Sequence, residues 1–288
     1  MATGMRGWGS GLLGVVIFSG SLPATRVAVE GFSPLFLTAA RAVIAALLAI
    51  VLLFALRQKR PRRGDMVSLL VVELGVVVGF PLLTALALQH VTSAHSIVFI
   101  GLLPLATALF GVLRGGERPR APFWFFSVLG ALIVAGFALH ESGPASLSGD
   151  LLMLVAILVC GLGYAEGAAL SRRLGGWQVI SWALVLALPA TVPLGLLTLP
   201  ATGLHAIATS AWAGLAYVSV FSMLVGFVFW YRGLALGGIA GVGQLQLLQP
   251  FLGLALAGLL LGEPVAWTMV AAAGSVVFCV AGAKRFSR

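Results

Sequence analysis

Apolar stretches long enough to cross a membrane alternate with short polar breaks along the whole chain. A transmembrane helix needs about 20 predominantly apolar residues, and charges, prolines and glycine clusters cut the sequence into ten stretches of that order. The ten predicted spans are residues 8–28, 33–56, 66–88, 93–113, 121–140, 150–171, 176–199, 209–231, 239–261 and 265–283. The longest polar connection, RQKRPRRGD at residues 57–65, leaves no room for a soluble catalytic domain. The pattern predicts an all-α integral membrane protein with ten transmembrane helices.

Composition excludes the soluble classes of protein. Of the 288 residues, 60% are hydrophobic and only 9% are charged, whereas a soluble domain carries about 25% charged residues. Cys160 and Cys279 lie inside apolar runs, which indicates small hydrophobic residues rather than a disulfide or a metal site. The phosphate-binding pattern GxxxxGK[ST] does not occur in the sequence. We therefore expect no enzyme activity, no metal and no other cofactor.

The formal net charge of +9 is interpreted as an orientation signal. If the N-terminus lies inside, 15 of the 17 Lys and Arg residues fall on the inner side, and the exceptions are Arg26 and Arg41. Cytoplasmic loops of membrane proteins carry such an excess. The distribution predicts a multi-pass protein of the plasma membrane (the bacterial inner membrane) with both termini cytoplasmic. The lipid bilayer is the expected partner, and nucleic acid is not, since no soluble basic face exists.

An internal repeat divides the chain into two halves of five spans. A proline, a glycine and a glutamate recur at a constant offset of 146 residues, as Pro104, Gly116 and Glu117 and again as Pro250, Gly262 and Glu263. Five spans per half require the second half to enter the membrane from the opposite side. We predict inverted repeats at residues 1–145 and 146–288, an arrangement characteristic of transporters with alternating access. A cleaved signal peptide is the alternative for the first stretch, but its removal would break the repeat.

The paired proline and Gly-Glu blocks resemble the drug/metabolite transporter superfamily, specifically its ten-helix EamA-type exporters. The stretch from Pro34 to Arg41 is similar to the Pro/Arg pattern of that family's second helix, and the resemblance covers nearly the whole chain. It implies export of small metabolites, often amino acids, with both termini cytoplasmic. The aromatic amino-acid exporters are the nearest type.

Polar side chains inside hydrocarbon are costly and therefore mark candidate substrate positions. Arg41 lies about 10 Å from the outer end of the second span, where it could bind a substrate carboxylate or act as a structural tie. Gln244, Gln246 and Gln249 precede Pro250 and offer amides for a zwitterion, although interhelical hydrogen bonding would explain them too. The remaining candidates would stack on an aromatic substrate or line an outer vestibule: Tyr164, Trp182, Trp230 and Tyr231 for stacking, His95 and Ser96 for the vestibule.

Other features suggest roles in coupling and conformational change. Glu73 lies about seven residues from the inner end of the third span, where a buried carboxyl could couple proton movement to transport or could be structural. Pro104 and Pro250 are candidate kink and gating positions. Glu117 and its repeat Glu263 each stand shortly before a proline, and we expect each to cap the helix that follows it.

The leading hypothesis is a monomeric secondary transporter that exports small metabolites, with amino acids, including aromatic ones, as the expected substrates. A proton-coupled exporter of hydrophobic cations or drugs is the alternative, and Glu73 would then be its carboxylate. An intramembrane lipid-modifying enzyme and a purely structural membrane component are hypotheses from other classes. Specific solute flux in liposomes separates the transporters from the other two.

Overall fold

The structure, a computed structural model, describes residues 2–87, 90, 99–140, 146–200, 203, 205, 207–261 and 267–287. Its secondary structure in these ranges is entirely helical, and a helix occupies part of each predicted span, so the spans are numbered 1 to 10. The first half contains Ala2–Ser19 and Ser21–Ala28 (span 1), Pro34–Ala55 (span 2), Met66–Val72, Glu73–Gly79 and Phe80–Ala87 (span 3), Leu103–Leu113 (span 4) and Ala121–His140 (span 5). The sequence-based expectation of a helical membrane protein is confirmed.

The second half has the same order of elements. Its helices are Leu147–Leu174 (span 6), Gly176–Leu197 (span 7), Thr209–Tyr217, Val218–Val225 and Gly226–Gly237 (span 8), Ile239–Gly243, Gln244–Leu248 and Gln249–Leu261 (span 9) and Trp267–Phe286 (span 10). Six continuous helical stretches among the described residues are long and apolar enough to cross a membrane, namely those of spans 1, 2, 3, 6, 7 and 8.

Packing between the spans is symmetric under exchange of the two halves. Span 1 packs on span 8, and its counterpart span 6 packs on span 3; spans 2 and 7, 4 and 9, and 5 and 10 pack on one another. Most of the buried core belongs to one cluster that contains residues from both halves. This exchange is what two antiparallel copies of a five-helix unit require.

The most unusual backbone features are two π-helical segments at equivalent positions. Glu73–Gly79 interrupts span 3 and Val218–Val225 interrupts span 8, and the two segments begin 145 residues apart in the sequence. π-Helical turns are rare and occur frequently at functional sites. Hydropathy does not reveal them, because a π-turn keeps the same apolar composition as the α-helix around it.

The repeated prolines lie where helices are interrupted. Pro104 is the second residue of Leu103–Leu113, directly after a turn at residues 101–102. Pro250 is the second residue of Gln249–Leu261, directly after the 3-10 segment Gln244–Leu248. A proline lacks the N–H that would continue the preceding turn. A gating role for either proline stays a prediction.

The expectation that Glu117 caps the helix following it is wrong. Its carboxylate instead accepts hydrogen bonds from the backbone N–H groups of Ile239 and Ala240, at 2.6 and 2.7 Å. These two residues begin span 9, which belongs to the other half of the chain. Local sequence favoured a local cap, but the tertiary contact between spans 4 and 9 brings a second helix start closer to the carboxylate.

Candidate functional site

A cavity of about 250 Å³ lies between the two halves and is the candidate substrate site. Both halves contribute its wall, which combines aromatic and aliphatic side chains with hydroxyls, amides and one guanidinium. The lining residues are Phe18, Ser21, Thr25, Val29, Pro34, Leu37, Thr38, Arg41, Val76, Phe80, Pro81, Thr84, Ala85, Ile100, Leu103, Met153, Cys160, Tyr164, Ser222, Phe227, Gln246, Gln249 and Pro250.

The cavity reaches the surface at one end of the bundle. Val29 and Pro34, which are exposed, line it where span 1 ends and span 2 begins. We call this the open end. The opposite end carries residues 57–65, 114–120 and 172–178, and we call it the basic end; positive charge predicts that it faces the cytoplasm. The cavity is thus accessible from the side predicted to be extracytoplasmic.

Arg41 supplies the only formal charge among the lining residues that the structure describes. Helix 34–55 positions it about two turns from its N-terminus, and Ser33 caps that helix by accepting the N–H of Phe36 at 3.2 Å. The Nε atom of Arg41 is buried and has no hydrogen-bond partner among the described residues. A buried, unpaired donor is costly, so this guanidinium is available for an anionic ligand group.

Gln246 supplies an acceptor in the same cavity. Its Nε2 donates to the Tyr164 hydroxyl at 3.2 Å, while its buried Oε1 has no partner within the described part of the chain. Tyr164 is held in turn by an edge-on contact with Trp230, at 5.5 Å between ring centroids. The amide orientation is therefore set by the tyrosine, and its oxygen is available for a donor group of a ligand.

Five pairs of lining residues stand 146 positions apart and so occupy equivalent places in the two halves. In four pairs the first half supplies an apolar residue and the second half a polar one: Phe18 and Tyr164, Val76 and Ser222, Ile100 and Gln246, Leu103 and Gln249. The fifth pair, Pro81 and Phe227, is apolar in both halves. In four of the five pairs the second half is thus the more polar, while the first half adds Arg41 and the hydroxyls of Ser21, Thr25, Thr38 and Thr84 elsewhere in the wall.

Several candidates from the sequence lie away from the cavity. Gln244 is buried with its Nε2 3.5 Å from the Pro104 carbonyl, and the Tyr231 hydroxyl donates to the Gly163 carbonyl at 3.2 Å. Trp182 packs against the core. Glu73 is buried at the start of the π-helical segment and is absent from the cavity wall. His95 and Ser96 lie outside the described residues.

Sequence reasoning missed the hydroxyl groups of the wall. Thr38 and Thr84 donate to carbonyls of their own helices at 2.8 and 2.7 Å, which leaves their oxygens free to accept. Ser21 and Ser222 join the halves at 2.8 Å. Ser and Thr are common where membrane helices pack, so their presence in the sequence does not by itself indicate a substrate site. The offset of 146 residues could have indicated Ser222, because it pairs that residue with the apolar Val76. Ser21, Thr38 and Thr84 have no lining counterpart at that offset.

An inverted pair of five-helix units around a cavity that opens at one end is an architecture characteristic of transporters. The chain belongs to the EamA-like transporter family, whose model matches residues 5–139 and again residues 147–283. The protein is thus a membrane transporter, as the resemblance in its sequence implied.

Relatives agree with this assignment. The chain is 66% identical over 282 residues, 98% of each chain, to an uncharacterized transporter, YdeK, of Bacillus subtilis (strain 168). It is 24% identical over 258 residues, 88% of this chain and 84% of the other, to a probable terminal-alkyne amino-acid exporter of Streptantibioticus cattleyicolor. A crystal structure of an 18% identical protein superposes with a TM-score of 0.81 over 96% of this chain and 97% of that one, which shows the fold alone.

Proposed function

We propose that this transporter exports small amphipathic carboxylates, with amino acids as the principal class, by alternating access. The observation that carries the proposal is the pair of unpartnered atoms in one cavity, the Arg41 Nε and the Gln246 Oε1. A zwitterion offers a carboxylate to the first and an ammonium to the second. The bidentate geometry of guanidinium suits a carboxylate.

The wall of the cavity supports the apolar part of such a substrate. Phe18, Phe80 and Phe227 provide aromatic surface, and stacked or edge-on aromatic contacts favour an aromatic or large aliphatic side chain. The described wall contains no carboxylate, whereas a site for hydrophobic cations would be expected to present one. An amino-acid exporter among the distant relatives gives the proposal independent support.

The setting of this transport is part of the proposal. We infer that the protein lies in the plasma membrane as a monomer, with both termini and the basic end in the cytoplasm. The distribution of basic residues supports this orientation, since 15 of the 17 would then be inside. Export then runs from the basic end toward the open end.

Counterflow in proteoliposomes tests the proposed substrate class. Purified protein is reconstituted, loaded with unlabelled compound and assayed with labelled amino acids and with cationic dyes at two pH values. We expect accumulation of labelled aromatic or large aliphatic amino acids and none of the dyes. Counterflow of the dyes without any amino acid would support the proton-coupled drug exporter instead and would overturn the proposal.

A comparison of Gln246→Leu with Gln244→Leu tests the binding role of the amide. Gln246→Leu removes the acceptor for the substrate amine, and a lost hydrogen bond of about 1 kcal/mol should raise the KM of counterflow roughly fivefold. Gln244 is equally buried but lies outside the cavity wall, so the KM of Gln244→Leu should stay at the parent value. Equal KM values for the two variants would contradict the assignment.

A further inference from the structure

Ion pairs at the basic end join the two halves of the chain. Arg114 donates to Glu166 through Nε and Nη2 at 2.9 and 3.2 Å. The other two pairs join Glu117 to Arg172, at 3.2 Å, and Asp65 to Arg173. Each pair has one member from the first half and one from the second. All three of these ion pairs lie at this end of the bundle.

The carboxylates of these pairs are largely buried, and each accepts at least one hydrogen bond besides its ion pair. Glu166, 7% exposed, also accepts the hydroxyl of Ser68 at 2.7 Å, so the first half supplies all its described side-chain partners. Asp65, 4% exposed, accepts the backbone N–H of Arg62 at 3.0 Å. Removing one partner of a buried ion pair is strongly destabilising, because the remaining charge is left uncompensated away from water. Separation of the halves here therefore requires all three carboxylates to be rehydrated together.

Glu117 connects these ion pairs to the substrate cavity. Its carboxylate holds the backbone N–H groups of Ile239 and Ala240 and also pairs with Arg172. The capped helix, Ile239–Gly243, continues directly into the 3-10 segment that carries Gln246. Only seven residues separate Ile239 from Gln246, which is about 10–14 Å along such helices. The basic end and the amide in the cavity are thus joined by one short stretch of helix.

We propose that Asp65, Ser68, Arg114, Glu117, Glu166, Arg172 and Arg173 form a latch that holds the basic end closed while the cavity is open at the other end. The latch opens for a substrate to enter from the basic end. Glu117 is in this scheme a positioning residue, because the position of the segment that carries Gln246 changes with the state of the latch through the hydrogen bonds of Glu117. The proposal concerns the transport cycle and does not depend on which substrate is carried.

Thiol labelling measures whether the latch controls the open end. The native cysteines are removed from the full chain by Cys160→Ala and Cys279→Ala. A single cysteine is then introduced at a half-exposed position of the cavity wall, Thr84→Cys. The rate at which this thiol reacts with a water-soluble maleimide is measured on purified protein. Asp65→Arg breaks one ion pair and should slow labelling by up to about fivefold, because the loss of such a pair shifts a two-state equilibrium by that order. The charge reversal Asp65→Arg with Arg173→Asp should restore the parent rate.

Two further variants keep the test decisive. Arg114→Gln is a milder break of the latch for the case in which Asp65→Arg does not fold, and it should slow labelling in the same direction. Arg118→Ala is the matched control, since Arg118 has an exposed side chain in the same loop and no ion pair among the described residues. It should label at the parent rate.

Glu117→Gln tests the positioning role separately. Its amide oxygen can still accept one backbone N–H but cannot pair with Arg172, so we expect slower labelling of the T84C thiol and an altered KM of counterflow in a folded protein. A merely structural carboxylate would change the melting temperature and leave both quantities alone. Unchanged labelling in Asp65→Arg and Arg114→Gln, or failure of the double charge reversal to restore labelling, would overturn the latch.

Discussion

Arg41→Ala is expected to abolish most carboxylate export while the protein stays folded. A hydrogen bond between charged groups contributes about 1.5–3 kcal/mol, so the ratio of maximal flux to KM should fall about 10- to 150-fold. The melting temperature should hold or rise, because the variant removes a guanidinium whose Nε is buried without a partner among the described residues. Counterflow with a labelled amino acid and thermal unfolding of the same preparation measure the two quantities.

The controls for Arg41 use both the protein and the substrate. Arg41→Lys keeps the charge but loses the planar fork of guanidinium, and we expect flux between those of the parent and of Arg41→Ala. The decarboxylated amine of the same substrate lacks the group that Arg41 binds, so the parent and Arg41→Ala should handle it equally. A structural tie would instead lower the melting temperature and affect both substrates alike, and that result would refute the binding role.

The spans could be predicted because a helix that crosses a bilayer needs a long, almost uncharged apolar stretch, which is easily recognised in a sequence. A described helix occupies part of every predicted stretch, and the repeat of Pro104 as Pro250 indicated the exchange symmetry later seen in the packing. The π-helical segments could not be predicted, because they change hydrogen bonding without changing composition. Glu117 shows the same limit for polar contacts, since the two backbone N–H groups that it accepts, those of Ile239 and Ala240, lie more than 120 residues away in sequence.

The polar lining of the candidate site was largely predictable, because polar side chains are rare in these spans. Arg41, Tyr164, Gln246 and Gln249 do line the cavity, whereas Gln244 does not. The segment Gln244–Leu248 is a 3-10 helix, with three residues per turn. Residues 246 and 249 therefore share one face, and residue 244 points elsewhere. An α-helix of 3.6 residues per turn would also turn Gln244 away from Gln246 and Gln249, so the spacing of the three amides already distinguished Gln244 from the other two.

Gly233→Ala is expected to prevent normal packing of spans 1 and 8. A Cβ atom at Gly233 would meet the backbone N and Cα of Gly11 at 2.5 and 2.6 Å, and backbone atoms cannot rotate away as side chains do. Overpacking costs about 1–3 kcal/mol or more, so the melting temperature of purified protein should fall by roughly 5–10 °C. Gly9→Ala is the control: Gly9 lies in span 1, the other member of this pair of spans, and a Cβ there would meet nothing within 4 Å. Alanine is also the better helix former by up to about 1 kcal/mol. The melting temperature of Gly9→Ala should be equal or higher. A Gly233→Ala protein as stable as the parent would show that spans 1 and 8 do not approach closely at Gly233 and Gly11.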